Sequence, residues 1–224
     1  MICLGLDTAL GACSVALIAG DAVLGHAFAP MTAGQAEALA PMAEQVMRIA
    51  GRAFPEVERI AVTTGPGTFT GQRIGLAFAR GLRTALKVPC VGMTTLEAIA
   101  AAVRAAHPGR PCLVASDARR GEAYVQAFAA DGTALTPPQL LTLAHAAALG
   151  ASLTEPVFAG TAAENVANGA TVVPITQPDA AWVARLGLAR APDGAPPAPL
   201  YLRAPDAKLP GPLKPLPPLR AVRA

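Results

Sequence analysis

The order of strand-like and helical segments constrains the fold of this chain more than any other feature. The first half opens with three short apolar runs, and tight turns at Gly11 and Gly20 separate them, which predicts an antiparallel meander. Helical and strand-like segments then alternate, as helix 35–51, strand 59–64, helix 69–87, strand 90–93 and helix 95–106. Alternation of this kind is typical of an α/β fold.

The second half starts in the same way. A strand ends at Asp117, a turn follows at 119–121 and a second strand leads back, much as the first strand of the chain ends beside Asp7. Shorter elements come next, and a helix is predicted over 180–189. This weak repeat predicts two lobes of related topology, an N-terminal lobe over 1–106 and a smaller C-terminal lobe over 107–209.

The C-terminal part differs in composition. Residues 191–224 contain ten of the 22 prolines, so a helix cannot persist there and extended or disordered backbone is expected. The apolar stretch PLYLRAP is expected to pack back on the body, and the basic tail 210–224 is expected to be disordered. Residues 198–224 hold five basic residues and one acid, which leaves the other 197 residues near a charge of −1 and without a broad nucleic-acid footprint.

A glycine-rich loop joins the strand at 59–64 to the helix at 69–87. It reads TTGPGTFTGQRIG, and its glycines are Gly65, Gly67 and Gly71. Such a turn into a helix start is typical of a phosphate or anion site, but the stretch matches neither the P-loop nor the dinucleotide fingerprint. Thr68 or Thr70 suits the N-cap of the helix. The pattern therefore predicts a glycine turn into a helix and leaves open whether it holds a ligand.

Acidic and hydroxyl side chains follow the first strand of each half. In phosphotransfer folds, acids at strand ends hold Mg²⁺ while turn N–H groups hold phosphates, although Asp and Thr are also ordinary turn residues. The candidate nucleotide- or phosphate-contacting residues are Asp7, Thr8, Gly65, Gly67, Thr68, Gly71 and Asp117.

Two helices carry faces that a partner could use. Basic residues share one face of the helix at 69–87, which indicates either a solvated surface or a stripe for a partner or RNA; they are Arg73, Arg80, Arg83 and Lys87. On the helix at 35–51, Met42 and Ile49 lie off the apolar line of Leu39, Val46 and Ala50. An apolar face this wide favours a subunit interface.

Other kinds of site find little support in the sequence. The four cysteines lie in or beside apolar runs without C-x-x-C spacing, which predicts buried free thiols. None of the three histidines lies near a Ser or Cys nucleophile, and no His-x-x-x-His motif is present, so hydrolytic and zinc chemistry are not indicated. The absence of a long apolar run and of a signal-like start favours a cytoplasmic protein with no membrane contact.

Several of these stretches together resemble the TsaB (YeaZ) family, bacterial proteins needed for threonylcarbamoyl modification of tRNA. The likeness runs in order through ICLGLDTALGACSVAL, VTTGPGTFTGQRIGLAFARGL, VPCVGMTTLEAIA, ASDARRGEAYVQAF and PLYLRAPDAKLP. It implies the actin-like/ASKHA fold, with two ribonuclease-H-like lobes of related topology and mixed sheets flanked by helices. It also implies kinship with TsaD, the subunit that performs the transfer.

The resemblance further implies a non-catalytic subunit without a metal or catalytic residues. TsaD carries a metal in a His-Met-Glu-Gly-His segment, and Thr95 and Ile99 stand at the ligand positions here. Expected partners are TsaD, the ATPase TsaE, a second copy when the chain is alone, and tRNA indirectly through the complex. No cofactor of its own is expected, while ATP or ADP with Mg²⁺ at the interface with TsaD is left open.

The family pairs through its first two helices, at about 35–51 and 70–87 here. The predicted interface residues are Leu39, Met42, Val46, Ile49, Arg73, Phe78 and Arg80. Family members commonly have His near the start of the first helix, where this chain has Gln35. The alternatives are an ATP-binding phosphotransferase or ATPase of the same superfold, a peptidase, and direct tRNA binding through the basic helix face and tail.

Overall fold

The computed structural model describes residues 1–203 and contains two five-stranded mixed sheets. The first sheet has the order β3-β2-β1-β4-β5 and the second has the order β10-β9-β6-β7-β8. The strands of the first sheet are β1 (Ile2–Asp7), β2 (Ala12–Ala19), β3 (Ala22–Pro30), β4 (Arg59–Thr63) and β5 (Cys90–Met93). Those of the second are β6 (Cys112–Arg119), β7 (Glu122–Phe128), β8 (Gln139–Thr142), β9 (Val157–Ala159) and β10 (Thr171–Val172).

Six α-helices cover the sheets in this part of the chain. They are α1 (Gln35–Ile49), α2 (Phe69–Leu86), α3 (Thr95–Ala106), α4 (Leu143–Ala151), α5 (Ala163–Val166) and α6 (Ala180–Ala189), and a short 3₁₀ turn lies at Phe54–Glu56. The predicted meander and the strand–helix alternation after it are confirmed. Strand β8 was missed, because it is a four-residue edge strand directly after two prolines.

The central strands of the first sheet are buried on both faces. Alternate residues of a strand point to opposite faces, so Leu4 and Leu6 of β1 pack in the core with α1 and α2, while Cys3 packs with Val183 and Ala184 of α6. This two-sided burial explains why β1 is a continuous apolar run rather than an alternating one. Strand β1 pairs with β2 in antiparallel and with β4 in parallel fashion.

Two helices pack on the sheet formed by the opposite half of the chain. Helix α3 lies within 1–106, yet Leu96, Ile99 and Val103 join the core of the second sheet. Helix α6 lies within 107–209, yet it packs on β1, β2 and β4 of the first sheet. The division at residue 106 stays a prediction, and the packing crosses it in both directions.

Helix α6 sits unusually close to the first sheet. A Cβ at Gly5 would overlap the carbonyl oxygen of Ala180, and one at Gly187 would overlap the side chain of Ala61. The guanidinium of Arg59 closes the end of the helix, because its Nη1 donates to the carbonyl oxygens of Gly187 at 2.8 Å and Arg190 at 2.9 Å. These carbonyls would otherwise lack partners at a helix C-terminus.

After α6 the chain is extended and returns along the body. Leu200 N–H donates to the carbonyl of Thr64 at 2.8 Å, and Arg203 donates to the carbonyl of Ala118 and to Glu122. The packing predicted for PLYLRAP is therefore confirmed through Arg203. The expectation for residues 210–224 lies outside the described residues. In the described range no helix is long and apolar enough to cross a membrane.

The cap on α6 can be tested by replacing Arg59 with Met. The variant keeps the apolar stem but removes a buried charged donor that serves several carbonyls, so the free energy of unfolding should fall by about 2–3 kcal/mol. Arg52→Met is the matched control, since its ion pair with Glu56 is exposed to solvent and such pairs contribute little to stability. Equal losses for the two variants in urea denaturation would contradict the assignment.

Candidate functional site

A cleft of about 430 Å³ lies between the two sheets. On one side are Gly67 and Thr68 of the loop 64–68 that joins β4 to α2, here called the glycine loop. On the other side are Asp117 and Arg119 at the turn between β6 and β7. The remaining lining residues are Leu10, Gly11, Thr32, Ala118, Tyr124, Thr161 and Gln177.

The glycine loop packs tightly against the turn that follows β1. A Cβ at Gly67 would overlap the carbonyl oxygen of Ala9, and one at Gly71 would overlap the carbonyl oxygen of Thr8. The Thr68 N–H donates to the Ala9 carbonyl at 2.8 Å. These glycines are therefore needed for close approach between two backbone segments of the same chain.

Hydroxyl groups complete this contact. Thr8 Oγ1 donates to the Gly71 carbonyl at 2.7 Å, while Thr68 Oγ1 accepts from the Gly71 N–H at 3.0 Å. Thr68, one of the two predicted candidates, is thus the N-cap of α2. Because the N–H groups of Thr68 and Gly71 already have acceptors, two donors that an anion would need are used inside the chain.

The far side of the loop holds the start of α3. Thr95 N–H donates to the Gly65 carbonyl at 2.9 Å, and Thr95 Oγ1 donates to the Pro66 carbonyl at 2.7 Å. Ile99, one helical turn later, is fully buried in the core of the second sheet. A committed hydroxyl and an aliphatic side chain are no ligands for a transition metal, so these two positions do not fit one. In residues 1–203 no three His, Cys, Asp or Glu side chains cluster as a metal site.

Asp7 lies beneath the glycine loop and does not line the cleft. Its Oδ1 accepts from Thr63 Oγ1 at 2.5 Å and from the Ala9 N–H at 3.3 Å, while Oδ2 has no hydrogen-bond partner among the described residues. Burial raises the pKa of this carboxyl to about 7, and the hydrogen bond from Thr63 opposes that rise. A substantial fraction of Asp7 is therefore protonated near neutral pH.

Asp117 is exposed, and its carboxylate is bonded to Arg119 within the same turn. Its Oδ1 accepts from the Arg119 N–H at 2.8 Å, its Oδ2 lies 3.5 Å from Arg119 Nη1, and its own N–H donates to Thr161 Oγ1. Of the predicted phosphate-contacting residues, the cleft thus brings together Gly67, Thr68 and Asp117. Four others lie buried outside its lining, namely Asp7, Thr8, Gly65 and Gly71.

The predicted apolar interface residues differ in how far they are exposed. Leu39 and Val46 are buried in the chain's own core, because they form the stripe of α1 that faces β2, so they offer no surface to a partner. Met42 and Phe78 are half-buried against the same core. Ile49 is 57% exposed. Gln35 is buried and its Nε2 donates to the Met31 carbonyl at 3.1 Å, so it has a structural role.

The arginines of α2 have partners that the sequence analysis missed. Arg80 donates to the Pro197 carbonyl, Arg83 to the Gly194 carbonyl, and Arg73 Nε to the Tyr201 hydroxyl at 2.9 Å. All three contacts are more than 100 positions apart in the sequence, so periodicity could not reveal them. The only available signal was the apolar stretch around Tyr201, which predicted packing without saying where.

Residues 28–184 match the family described as "TsaD: tRNA N6-adenosine threonylcarbamoyltransferase". The tRNA threonylcarbamoyladenosine biosynthesis protein TsaB of Escherichia coli K12 is 35% identical over 121 residues, which cover 54% of this chain and 52% of that protein. The Haemophilus influenzae TsaB is 34% identical over 122 residues, covering 54% and 51%. The chain thus matches about half the length of these curated relatives. An uncharacterized Mycobacterium tuberculosis protein is 31% identical and matches 92% of this chain and 93% of its own length.

Solved structures show the same architecture. An uncharacterized Pseudomonas aeruginosa protein, described as similar to the peptidase YeaZ, has a TM-score of 0.79 and 28% identity over 90% of this chain and 99% of its own. The structure titled YeaZ from the same organism has a TM-score of 0.74 and 25% identity, covering 89% and 99%. Together with the family match, they confirm the predicted actin-like/ASKHA two-lobe fold.

Replacing Gly67 with Ala tests the contact between loop and turn. The added methyl would overlap the Ala9 carbonyl, so the free energy of unfolding should fall by about 2–3 kcal/mol. Gly81→Ala, in α2 with open space around its Cβ, should instead raise it by up to about 1 kcal/mol. Denaturant titration of both variants measures the two changes. A Gly67→Ala variant as stable as wild type would refute the close contact with Ala9.

Asp7→Asn tests the buried carboxyl. The pKa of Asp7 is about 7 in the folded state, above its value in the unfolded chain, so the folded state binds the proton more tightly. The contribution of this carboxyl to stability therefore declines as the pH rises from about 4 to 7. The Asn side chain does not ionise. The stability of Asp7→Asn relative to wild type should therefore be about 2–3 kcal/mol more favourable at pH 8 than at pH 5. Asp21→Asn, at an exposed turn, is the control, and an unchanged difference between the two pH values would exclude the effect.

Proposed function

This chain belongs to the TsaB (YeaZ) family, and from that premise we propose that it is a non-catalytic partner subunit in the synthesis of tRNA N6-threonylcarbamoyladenosine. The named relatives are threonylcarbamoyladenosine biosynthesis proteins, and the matching family model is that of the transferase TsaD. In this proposal the chain pairs with TsaD and supports its transfer reaction together with the ATPase TsaE. It contacts tRNA through the complex.

The proposal of a non-catalytic role rests on the glycine loop, whose N–H groups bond within the chain itself. An anion site at such a loop requires free N–H groups, but those of Thr68 and Gly71 are bonded to Ala9 and to the Thr68 side chain. Thr95 and Ile99, at the positions where the resemblance places the metal ligands of TsaD, are likewise committed to the loop and the core. The loop therefore serves to build the start of α2 and α3.

The exposed edge of α1 is the surface we assign to pairing. Ile49 is a large aliphatic side chain left in solvent, and Met42 lies half-buried on the same helix. Burial of such side chains against a partner helix is favourable because apolar area leaves water. Phe78 of α2 would extend this surface, with TsaD as the partner in the complex and a second copy when the chain is alone.

An ATPase is the first alternative, and its proposed residues are dispersed. Asp7 is buried away from the cleft that contains Asp117, and Asp117 is engaged by Arg119. We therefore propose that the isolated chain does not bind a nucleotide. Any site for ATP or ADP with Mg²⁺ lies at the interface with TsaD.

A peptidase is the second alternative, and it lacks an activated nucleophile in the described residues. All four cysteines are buried free thiols. Burial raises the pKa of Cys3 and Cys112 to about 12 and that of Cys13 and Cys90 to about 11, so the thiolate is scarce at neutral pH. The histidine contacts in this range are those of His26 with Asp179 and of His145 with Thr142, whose hydroxyl serves as the N-cap of α4 by accepting from the His145 N–H.

Pairing through α1 can be tested by reconstitution of threonylcarbamoyladenosine synthesis from TsaD, TsaE and this chain. Ile49→Asp places a charge on the proposed interface and should reduce product formation by about tenfold, with a matching loss of co-elution with TsaD. Leu135→Asp is the matched control, because Leu135 is 52% exposed in the connection between β7 and β8, away from α1. Equal activity of both variants would refute the interface.

The same preparations separate the non-catalytic role from the ATPase. Calorimetric titration with ATP and Mg²⁺ should show no binding by the isolated chain, whatever the mixture with TsaD shows. Stoichiometric binding or turnover by the chain alone, or threonylcarbamoyl transfer without TsaD, would contradict the proposal.

A further inference from the structure

The outward face of α2, together with the residue that caps its C-terminus, carries four cations that form no ion pair within residues 1–203. Arg73, Arg80, Arg83 and Lys87 follow one another at spacings of seven, three and four residues, which places them on one side of the helix. The ion pairs among residues 1–203 involve none of these four side chains. Clustered like charges repel one another and favour an anionic partner.

An extended segment of the chain itself covers this face. We call residues 191–203 the strap. Arg83 donates to the Gly194 carbonyl at 3.1 Å, and Arg80 donates to the Pro197 carbonyl through both Nε at 3.1 Å and Nη2 at 2.5 Å. At the start of the helix, Arg73 stacks on the ring of Phe69 and donates to the Tyr201 hydroxyl. The face therefore already holds an extended polypeptide by arginine-to-oxygen contacts.

The strap is held at a few points and does not fill the face. Pro197 packs against Gly92, Leu200 is bonded to Thr64 and Arg203 pairs with Glu122, but residues 191–196 are exposed. A cavity of about 560 Å³ remains between the strap at Pro192 and Gly194 and the last turn of α2. Phe69 and Tyr201, which stack on each other, are 59% and 44% exposed. The exposed part of the strap at 191–196 can therefore be displaced at modest cost.

The chemistry of these arginine contacts indicates which kind of ligand could replace the strap. Backbone carbonyls accept from guanidinium groups but leave their charge uncompensated, whereas carboxylates accept two parallel hydrogen bonds and neutralise the charge. We propose that the outward face of α2 is a docking surface for an extended acidic segment of a partner protein, and that the strap is its internal, displaceable occupant. Arg73 and Arg80 are also among the interface residues that the family resemblance implies, but the contacts used here are those of the strap, and the peptide test below does not require pairing through α1.

A protein segment fits the observations better than RNA. The face already accommodates an extended peptide backbone, with carbonyl oxygens at the positions that side-chain carboxylates would take. The charge of the body is near −1 outside the C-terminal 27 residues, which does not favour a nucleic-acid surface. RNA binding to the same arginines is therefore a competing outcome of the test.

The experiment uses the full chain and a fluorescent peptide of about 12 residues that alternates glutamate and proline, so that it is acidic and extended. Binding is followed by anisotropy, with the glutamine–proline peptide as the neutral control. Arg80→Gln/Arg83→Gln should weaken binding at least about tenfold, because two charge-assisted contacts are lost. The matched control is Arg48→Gln/Arg104→Gln, which removes the same charge from exposed sites elsewhere and should change affinity less than about twofold.

Weakening the strap should have the opposite effect. Leu200→Pro removes the N–H that bonds to Thr64, and Tyr201→Ala removes the stack on Phe69, so each should strengthen peptide binding by about threefold to tenfold. Having both variants keeps the test valid if one fails to fold. The proposal is overturned if both pairs of arginine substitutions weaken binding equally, if the strap variants leave affinity unchanged, or if a single-stranded RNA binds through Arg80 and Arg83 while the acidic peptide does not.

Discussion

The contact between the glycine loop and the turn after β1 is the constraint on which most of this structure depends. Two backbone segments approach so closely that only glycine fits at Gly67 and Gly71. The same loop offers the carbonyls of Gly65 and Pro66 to Thr95 at the start of α3. Helix α2 packs on the first sheet and α3 on the second. One short loop therefore sets the position of both helices and links the two sheets.

That arrangement also decides what chemistry remains available. A glycine loop at a helix start can hold an anion only if its N–H groups face outward, and here those of Thr68 and Gly71 are bonded to the Ala9 carbonyl and the Thr68 hydroxyl. The tight packing places Asp7 beneath the loop with one carboxylate oxygen unpaired, and burial raises its pKa. A half-protonated carboxyl sealed from the cleft acts on stability rather than on a substrate.

Local pattern predicted much of the fold, and long-range contacts account for what it missed. The meander, α1 to α3 and α6 follow from periodicity and turn residues, and Thr68 follows from capping chemistry. Strand β8 carries too few residues for a pattern, and the exchange of α3 and α6 between the sheets has no local signature. The same limit applied to the site: a strand-end acid looks alike whether it is buried like Asp7 or exposed like Asp117. Leu39 and Val46 were assigned to a partner from the family resemblance, whereas the structure turns them towards β2 in the chain's own core.

Helix α2 shows why the two faces of one helix must be considered together. Its inner face, including Leu76 and Ala79, packs in the first core and sets the position of the helix, while its outer face carries charge that the fold does not neutralise. The strap lies over that charge with neutral oxygens, so it shields the arginines without compensating them. Tyr201 and Arg203 connect the strap to Phe69 and to Glu122 at the opposite side of the cleft. The strap therefore contacts both α2 and the second sheet, so a partner that displaces it from the arginines must also work against the contacts of Arg203.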